Sequence, residues 1–87
     1  MTRIASRKTQ DPGTKMIVAA LRKEFPAVKA YRYNPASIRV RIIDKRFARK
    51  NLIEREKMVL PLIHELPEDI QSDITVLLTL APGEEGQ

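Results

Sequence analysis

The sequence predicts an α+β fold in which helices cover one face of a three-stranded sheet. Three observations support this class. Two neighbouring segments alternate apolar and polar residues as strands do, apolar residues recur at helical spacing before and after them, and a third strand-like segment follows near the end. The predicted order is α-β-β-α-α-β, and helices and strands in this number pack as two layers around one core.

The size of the chain limits it to one domain. It has 87 residues and a mass of 10.0 kDa, which is enough for one modest core. Hydrophobic residues make up 43% and charged residues 31% of the chain, as in a globular protein. We expect a single α+β domain over residues 12–82, between a flexible basic arm at 1–11 and an acidic tail at 83–87.

Composition excludes several kinds of protein. The chain has no Cys, which excludes disulfides and thiolate metal ligands, and its single His, His64, offers no paired metal site. No apolar run is long enough to span a membrane, and the basic start lacks the apolar segment of a secretory signal. We therefore expect a cytoplasmic protein with no metal, no cofactor and no membrane contact.

The first helix is predicted from Met16 to Phe25, where apolar residues recur on one helical face. Asp11 or Thr14 supplies its N-terminal cap. Pro26 ends the helix, because a proline disfavours helical geometry at the residue before it.

The first two strands are predicted at Val28–Tyr33 and Ile38–Asp44. The second is the clearest strand in the chain, since apolar residues alternate along it with arginines. Asn34 to Ser37 has the composition of a turn. A turn this short between two strands predicts an antiparallel hairpin.

The second half of the chain is predicted to be helical and then extended. Asn51 and Glu54 have the spacing of a capping box, and the helix that they begin reaches Leu66. Pro61 lies inside it and is expected to kink or divide it. A turn or short helical turn and a last strand then follow, at Glu68–Ser72 and Asp73–Leu80.

The core is predicted from the apolar positions that share a face in each element. This set comprises Ile17, Leu21, Phe25, Val40, Ile42, Leu52, Val59, Ile63, Val76 and Leu78.

No pattern in the chain indicates catalysis. The carboxylates of Glu54, Glu56 and Glu65 lie on or near one helix without a base or nucleophile beside them, and His64 is more typical of a solvated helix end. The glycines lie only near the ends of the domain, so no glycine-rich phosphate loop is present. We expect no catalytic residue and a non-enzymatic function.

Charge is the positive functional signal. The formal net charge is +5, and it is unevenly distributed. Residues 38–50 carry six basic residues and one acidic residue, whereas residues 67–87 carry five acidic residues and no basic one. Such asymmetry indicates an anionic partner, usually nucleic acid, or else a solvated surface.

Two groups of side chains could form the anion site. Arg39 and Arg41 share one face of the second strand, and Tyr31 and Tyr33 share a face of the first. On an uncovered sheet they would form a platform for stacking bases and contacting phosphates. Alternatively, the rings pack against the aliphatic parts of the arginines across the strands.

The second group lies in the connection before the long helix. Lys45, Arg46, Arg49 and Lys50 are four bases within six residues, next to a helix N-terminus that favours negative charge. An external anion would neutralise them. The internal alternative is that the acidic C-terminal tail docks on this connection.

Three segments resemble the BolA-like family: Leu21–Pro26, the strand Ile38–Ile43 with the following loop around Phe47, and the helix at Leu52–Val59. The resemblance covers about residues 15–84. It implies a type-II KH-like topology and a non-enzymatic role. That role is either nucleic-acid binding in gene regulation, or partnership with monothiol glutaredoxins around an iron–sulfur cluster.

The sequence also departs from the family pattern. The family's Arg-His-Arg appears as Arg55-Glu56-Lys57, and Arg55 joins the predicted nucleic-acid contacts. The family histidine before the last strand has no counterpart near Gln71 and Ser72, so we expect no iron–sulfur cluster. The glycine-rich loop of KH domains corresponds to residues 48–51, which have no glycine.

We therefore predict a small nucleic-acid-binding module with a regulatory role. Its predicted contacts are Arg39, Arg41, Lys45, Arg46, Arg49, Lys50 and Arg55, with Tyr31 and Tyr33 as stacking rings. The alternative hypothesis is a protein–protein adaptor with a BolA-like fold.

Overall fold

The sheet is built around its central strand. In the computed structural model, which describes residues 11–85, strand β1 (Val28–Asn34) pairs antiparallel with β2 (Ser37–Ile43), and β2 pairs parallel with β3 (Ile74–Leu80). The order across the sheet is β1-β2-β3. The predicted three-stranded α+β fold is confirmed, and the parallel pairing makes the sheet mixed.

Helix α1 spans Pro12–Leu21. The Asp11 carboxylate accepts a hydrogen bond from the Thr14 amide at 2.9 Å, and the Thr14 hydroxyl accepts one from the Asp11 amide at 2.8 Å. Both predicted capping residues thus act together in one capping box. Of the predicted N-terminal arm, the structure describes only Asp11, which belongs to the helix cap.

Helix α1 ends earlier than predicted, at Leu21 rather than Phe25. The amides of Glu24 and Phe25 both donate to the Leu21 carbonyl, at 3.1 and 2.9 Å. A turn therefore replaces the last helical turn, which Pro26 would not have allowed to continue. Phe25 lies beyond the end of the helix, and its side chain is buried in the core.

The predicted hairpin is present with a shorter turn than expected. Only Pro35 and Ala36 lie between the strands, and the Asn34 side chain accepts a hydrogen bond from the Ala36 amide at 2.9 Å. Asn34 thereby closes the turn through its own side chain.

A single 3₁₀ turn, Lys45–Phe47, connects β2 to helix α2, Leu52–Ile63. The predicted capping box is present, with reciprocal bonds between Asn51 and Glu54 of 2.9 and 2.8 Å. Pro61 does not divide this helix. Proline has no amide hydrogen, so the Lys57 carbonyl four residues earlier loses its helical donor, but the helix continues through Pro61. It ends at Ile63, three residues before the predicted Leu66.

Helix α3 (Glu68–Asp73) follows and leads directly into β3. The two long helices and the inward side of the sheet enclose the core. Its fully or nearly buried apolar residues are Ile17, Ala20, Leu21, Phe25, Val28, Ala30, Ile38, Val40, Ile42, Phe47, Val59, Ile63, Leu66 and Ala81.

Three predicted core residues are not buried. Leu52 is 59% exposed in the first turn of α2, Leu78 is 46% exposed, and Val76 is half-buried. In β3 the prediction chose the wrong face. Leu77 pairs with Val40 and Thr79 with Ile42, and because parallel partners point to the same side, these two residues face the core instead.

We expect Leu21→Ala to lower the free energy of unfolding by roughly 2–5 kcal/mol, because it opens a cavity in the core. Leu52→Ala is the matched control and should cost about 0.5 kcal/mol or less, since its side chain is already exposed. Urea unfolding of both variants checks this. Equal losses in the two variants would show that the helix faces are assigned wrongly.

Thr79 generates a second prediction, of increased stability. It is 4% exposed, and its hydroxyl has no hydrogen-bond partner among residues 11–85. Thr79→Val removes this polar group while keeping the shape of the side chain, so we expect stability to rise by roughly 1 kcal/mol. Thr79→Ser keeps the hydroxyl, loses a methyl group and should destabilise the protein. A Val variant less stable than the parent would contradict this account.

Candidate nucleic-acid interface

The sheet leaves one face uncovered by the helices of the described chain. The inward residues of β2 contact the core, so the alternate residues Arg39 and Arg41 lie on the opposite side. The register places Tyr31 directly across from Arg39, and Lys29 across from Arg41. We call this side the open face. Its side chains are Lys29, Tyr31, Tyr33, Arg39, Arg41, Ile43, Val76, Leu78 and Leu80.

The two tyrosines of the open face are in different situations. The Arg39 guanidinium lies 3.9 Å from the centre of the Tyr33 ring, which is a cation–π contact. Cross-strand packing, one of the two alternatives for these rings, thus applies to Tyr33. Tyr31 is 39% exposed and has no ring or hydrogen-bond contact through its side chain within residues 11–85. The Tyr31 ring therefore has no partner within these residues, whereas the Tyr33 ring, which is 59% exposed, has one side covered by Arg39.

The open face contains no acidic residue. Arg32 differs from the bases of the open face. It belongs to the same strand as Tyr31 but points to the other side of the sheet, where it has acidic partners. Arg32 donates to the Asp11 carboxylate, to Asp73 at 3.2 Å and to the Pro35 carbonyl at 3.0 Å. Burial would raise the pKa of Asp11, but its hydrogen bonds from the Thr14 amide and Arg32 outweigh this and lower it.

The loop after β2 is fixed by an aromatic contact and an ion pair. Phe47 is fully buried and stacks on Phe25, with ring centres 5.5 Å apart. Arg46 bonds the Asp44 carboxylate at 2.9 and 3.2 Å, donates to the Glu24 carbonyl and lies over the Phe25 ring. Its hydrogen bond lowers the pKa of Asp44. Arg46 therefore holds the loop, which leaves it less available to an external phosphate.

The other three bases of the loop point into solvent. Lys45, Arg49 and Lys50 are exposed and make no ion pair with any residue that the structure describes. Arg49 has φ = 67°, the left-handed conformation that glycine favours and that costs other residues about 1 kcal/mol or more. The loop thus adopts a glycine-like backbone without a glycine.

The acidic tail docks on helix α2 rather than on the loop bases. Arg55 donates to both carboxylate oxygens of Glu84, at 2.8 and 3.0 Å, and to the carbonyls of Thr79 at 2.8 Å and Lys50 at 2.9 Å. Its side chain is only 13% exposed. The hydrogen bonds from Arg55 and the Ala81 amide lower the pKa of Glu84 to about 2.

This docking changes two expectations. The acidic tail docks within the protein, but on Arg55 of α2 and not on the connection at residues 45–50. The hydrogen-bonding groups of Arg55 are used within the protein, so the geometry does not favour its predicted contact with nucleic acid. Glu84 belongs to the predicted tail at 83–87, yet its carboxylate accepts hydrogen bonds from Arg55 of the folded domain.

Sequence reasoning missed two residues that lie beside Arg41. Lys29 and Arg22 line the same hollow as Arg41 at one end of the open face. The alternation of β1 could have found Lys29, because it is two residues before Tyr31 and therefore on the same side. Arg22 could not be found this way, since its position depends on where α1 ends.

The described residues form neither a metal-binding group nor a membrane-spanning helix. Within residues 11–85, no three His, Cys, Asp or Glu residues are grouped so that they could hold a metal ion. Across the same span, no helix is both long enough and apolar enough to cross a membrane. His64 is exposed at the C-terminal cap of α2.

Comparison with known proteins supports the fold. No protein-family model matches the chain, and no curated protein matches it. Among solved structures, BolA1 from Arabidopsis thaliana has a similar structure, with a TM-score of 0.68 over 86% of this chain and 98% of that chain. The sequence identity is 19%. The chain thus has a BolA-like fold, as the resemblance implied.

The pair of Arg55 and Glu84 predicts a pH dependence of stability. Because folding lowers the pKa of Glu84 to about 2 from its ordinary 4.5, the pair stabilises the protein fully above that ordinary value and loses its effect as the pH falls towards 2. The stability difference between parent and Glu84→Gln should therefore be constant near neutral pH and shrink in acid.

Urea unfolding at a series of pH values measures this difference. Glu85→Gln, which removes the neighbouring carboxylate and leaves Arg55 paired, should stay closer to the parent. A Glu84→Gln deficit that is the same at all pH values would contradict the assignment.

Proposed function

We propose that this chain is a non-enzymatic nucleic-acid-binding module that holds a single strand on its open face and on the loop beside it. The register of the hairpin is the observation that carries this proposal. It sets Tyr31 against Arg39, and Lys29 against Arg41, on a face without acidic residues. An aromatic ring among cations on an uncovered sheet is a common arrangement for binding single strands.

Each type of side chain has a separate role in this proposal. Lys29, Arg39 and Arg41 contact phosphates. These electrostatic contacts make the affinity strongly salt-dependent. Tyr31 stacks on a base, which contributes about 1–3 kcal/mol per base and tolerates any sequence. Neither role distinguishes one base from another, so the module binds with little sequence preference.

The loop extends the positive surface. Lys45, Arg49 and Lys50 are exposed and unpaired within the described chain, and Arg49 is held in a strained backbone conformation. Strain of this kind is typically retained where the side chain serves a function. Arg46 and Arg55 have structural roles in this proposal, because their side chains hold the loop and the tail.

A second candidate function is a protein–protein adaptor. The outward residues of β3 favour it, since Val76, Leu78 and Leu80 form an apolar row beside the arginines of β2. β3 is also at an edge of the sheet, where a partner strand can add. We place it second because the apolar row accounts for only part of the open face.

The open face can be tested by charge removal. Arg39→Gln with Arg41→Gln should weaken binding of a fluorescent single-stranded DNA by about tenfold and reduce the salt slope by about 1.4, whatever the DNA sequence. Lys15→Gln with Lys57→Gln removes two exposed charges from the helices and is the matched control. Fluorescence anisotropy at two salt concentrations measures both variants.

Oligonucleotide binding by the parent protein distinguishes between the two candidate functions. If it binds no oligonucleotide at low salt, the positive surface is only solvated and the adaptor takes first place.

Arg49 allows a test in which stability and binding move in opposite directions. Arg49→Gly relieves the left-handed strain, so stability should rise by up to about 1 kcal/mol, while nucleic-acid binding should weaken. Arg49→Lys keeps the charge and should bind like the parent. Thermal unfolding and anisotropy on the same samples measure both effects. Undiminished binding by Arg49→Gly would remove Arg49 from the interface.

A further inference from the structure

A pocket of about 200 Å³ lies at one end of the open face, where the connection from α1 meets β1 and β2. Three of the residues that line it are basic and four are apolar: Arg22, Lys29 and Arg41, with Pro26, Ala27, Val28 and Ile43. We call it the basic pocket. The amide of Ile43 donates to the carbonyl of Ala27 at 3.0 Å, so the two strands are joined at this end.

The three cations of the basic pocket are not neutralised by the described chain. Arg22, Lys29 and Arg41 make no ion pair and no side-chain hydrogen bond with any residue between 11 and 85. Lys29 and Arg41 are direct partners across the antiparallel strands, and like charges in that position repel. An anion in the pocket would replace this repulsion with attraction.

We infer that the basic pocket binds the terminal phosphate of a nucleic-acid strand, an inference that rests on the proposed function. A terminal phosphate carries a charge close to −2 at neutral pH, whereas an internal phosphodiester carries −1, so three cations favour the terminal group. The volume is too small for a whole nucleotide but sufficient for a phosphate with a few carbon atoms. A concave site also admits a strand end more readily than a continuous backbone.

The surroundings favour nucleic acid over other phosphorylated molecules. Arg41 belongs both to the basic pocket and to the open face, and Tyr31 is two residues along β1 from Lys29, about 7 Å away on the same side. A base near the anchored phosphate can therefore reach the Tyr31 ring. The apolar lining, which includes Pro26 and Ile43, suits the sugar that follows the phosphate.

The test compares three short single-stranded DNAs of one sequence with an internal fluorophore. One has a 5′-phosphate, one a 3′-phosphate, and one hydroxyls at both ends. We expect one phosphorylated form to bind the parent about tenfold more tightly than the hydroxyl form. Arg22→Gln with Lys29→Gln should abolish this advantage, whereas Lys15→Gln with Lys57→Gln should retain it.

NMR spectra of the parent give an independent readout. The amides of residues 27–29 and 41–43 should shift more strongly with the preferred phosphorylated strand than with the hydroxyl form. Equal binding of all three DNAs would overturn the inference and leave the proposed function standing. If no DNA binds, both fail. If a phosphoserine peptide of equal charge binds more tightly than any of the DNAs, the pocket serves a protein partner and the assignment to nucleic acid is wrong.

Discussion

The central position of β2 is the constraint on which the rest of the structure depends. This strand pairs with a neighbour on each side, so its register fixes both halves of the sheet. Its inward residues Ile38, Val40 and Ile42 are fully or almost fully buried, and its outward residues include Arg39 and Arg41. A shift of one residue would put the arginines into the core and the apolar residues into solvent. The same alternation therefore determines both the core and the candidate interface. A change of register in β2 would disrupt both of them.

Three arginines hold elements of the fold together by pairing with carboxylates. Arg32 joins the cap of α1 to the end of α3, Arg46 fixes the loop after β2, and Arg55 binds the C-terminal segment through Glu84. Each of these arginines has an acidic partner, so their charges add little to the field outside the protein. The bases of the open face have no such partner within residues 11–85. The open face thus keeps positive charge that the described chain does not neutralise, and this charge can attract an anionic ligand over a distance.

The sequence predicted what depends on local pattern. The hairpin, the capping box at Asn51 and the alternation of β2 were all found, because each is determined by residues close together in the chain. The side of β3 that faces the core was not predicted. In Ile74–Leu80 the alternation puts only Ile, Val and Leu on one side and both threonines on the other. The pattern therefore favours the more apolar side for the core, and only the pairing with β2 shows that Leu77 and Thr79 face inward. The contacts that Arg46 and Arg55 make within the protein were also not predicted. Arg46 bonds its near neighbour Asp44 but also contacts Glu24, and Arg55 bonds Glu84, 29 residues away.

Both candidate functions use the open face, and this restricts the ligands that either function could involve. Arg39 is the register partner of Val76, and Arg41 is the partner of Leu78, so the basic and apolar halves of the open face are adjacent. A protein that covers Leu78 also takes water away from Arg41, and burying an unpaired charge costs several kcal/mol. Such a partner must supply a carboxylate or phosphate at that point. In either proposed role the open face would therefore need an anionic ligand, and a nucleic acid and a protein partner would compete for it rather than bind together.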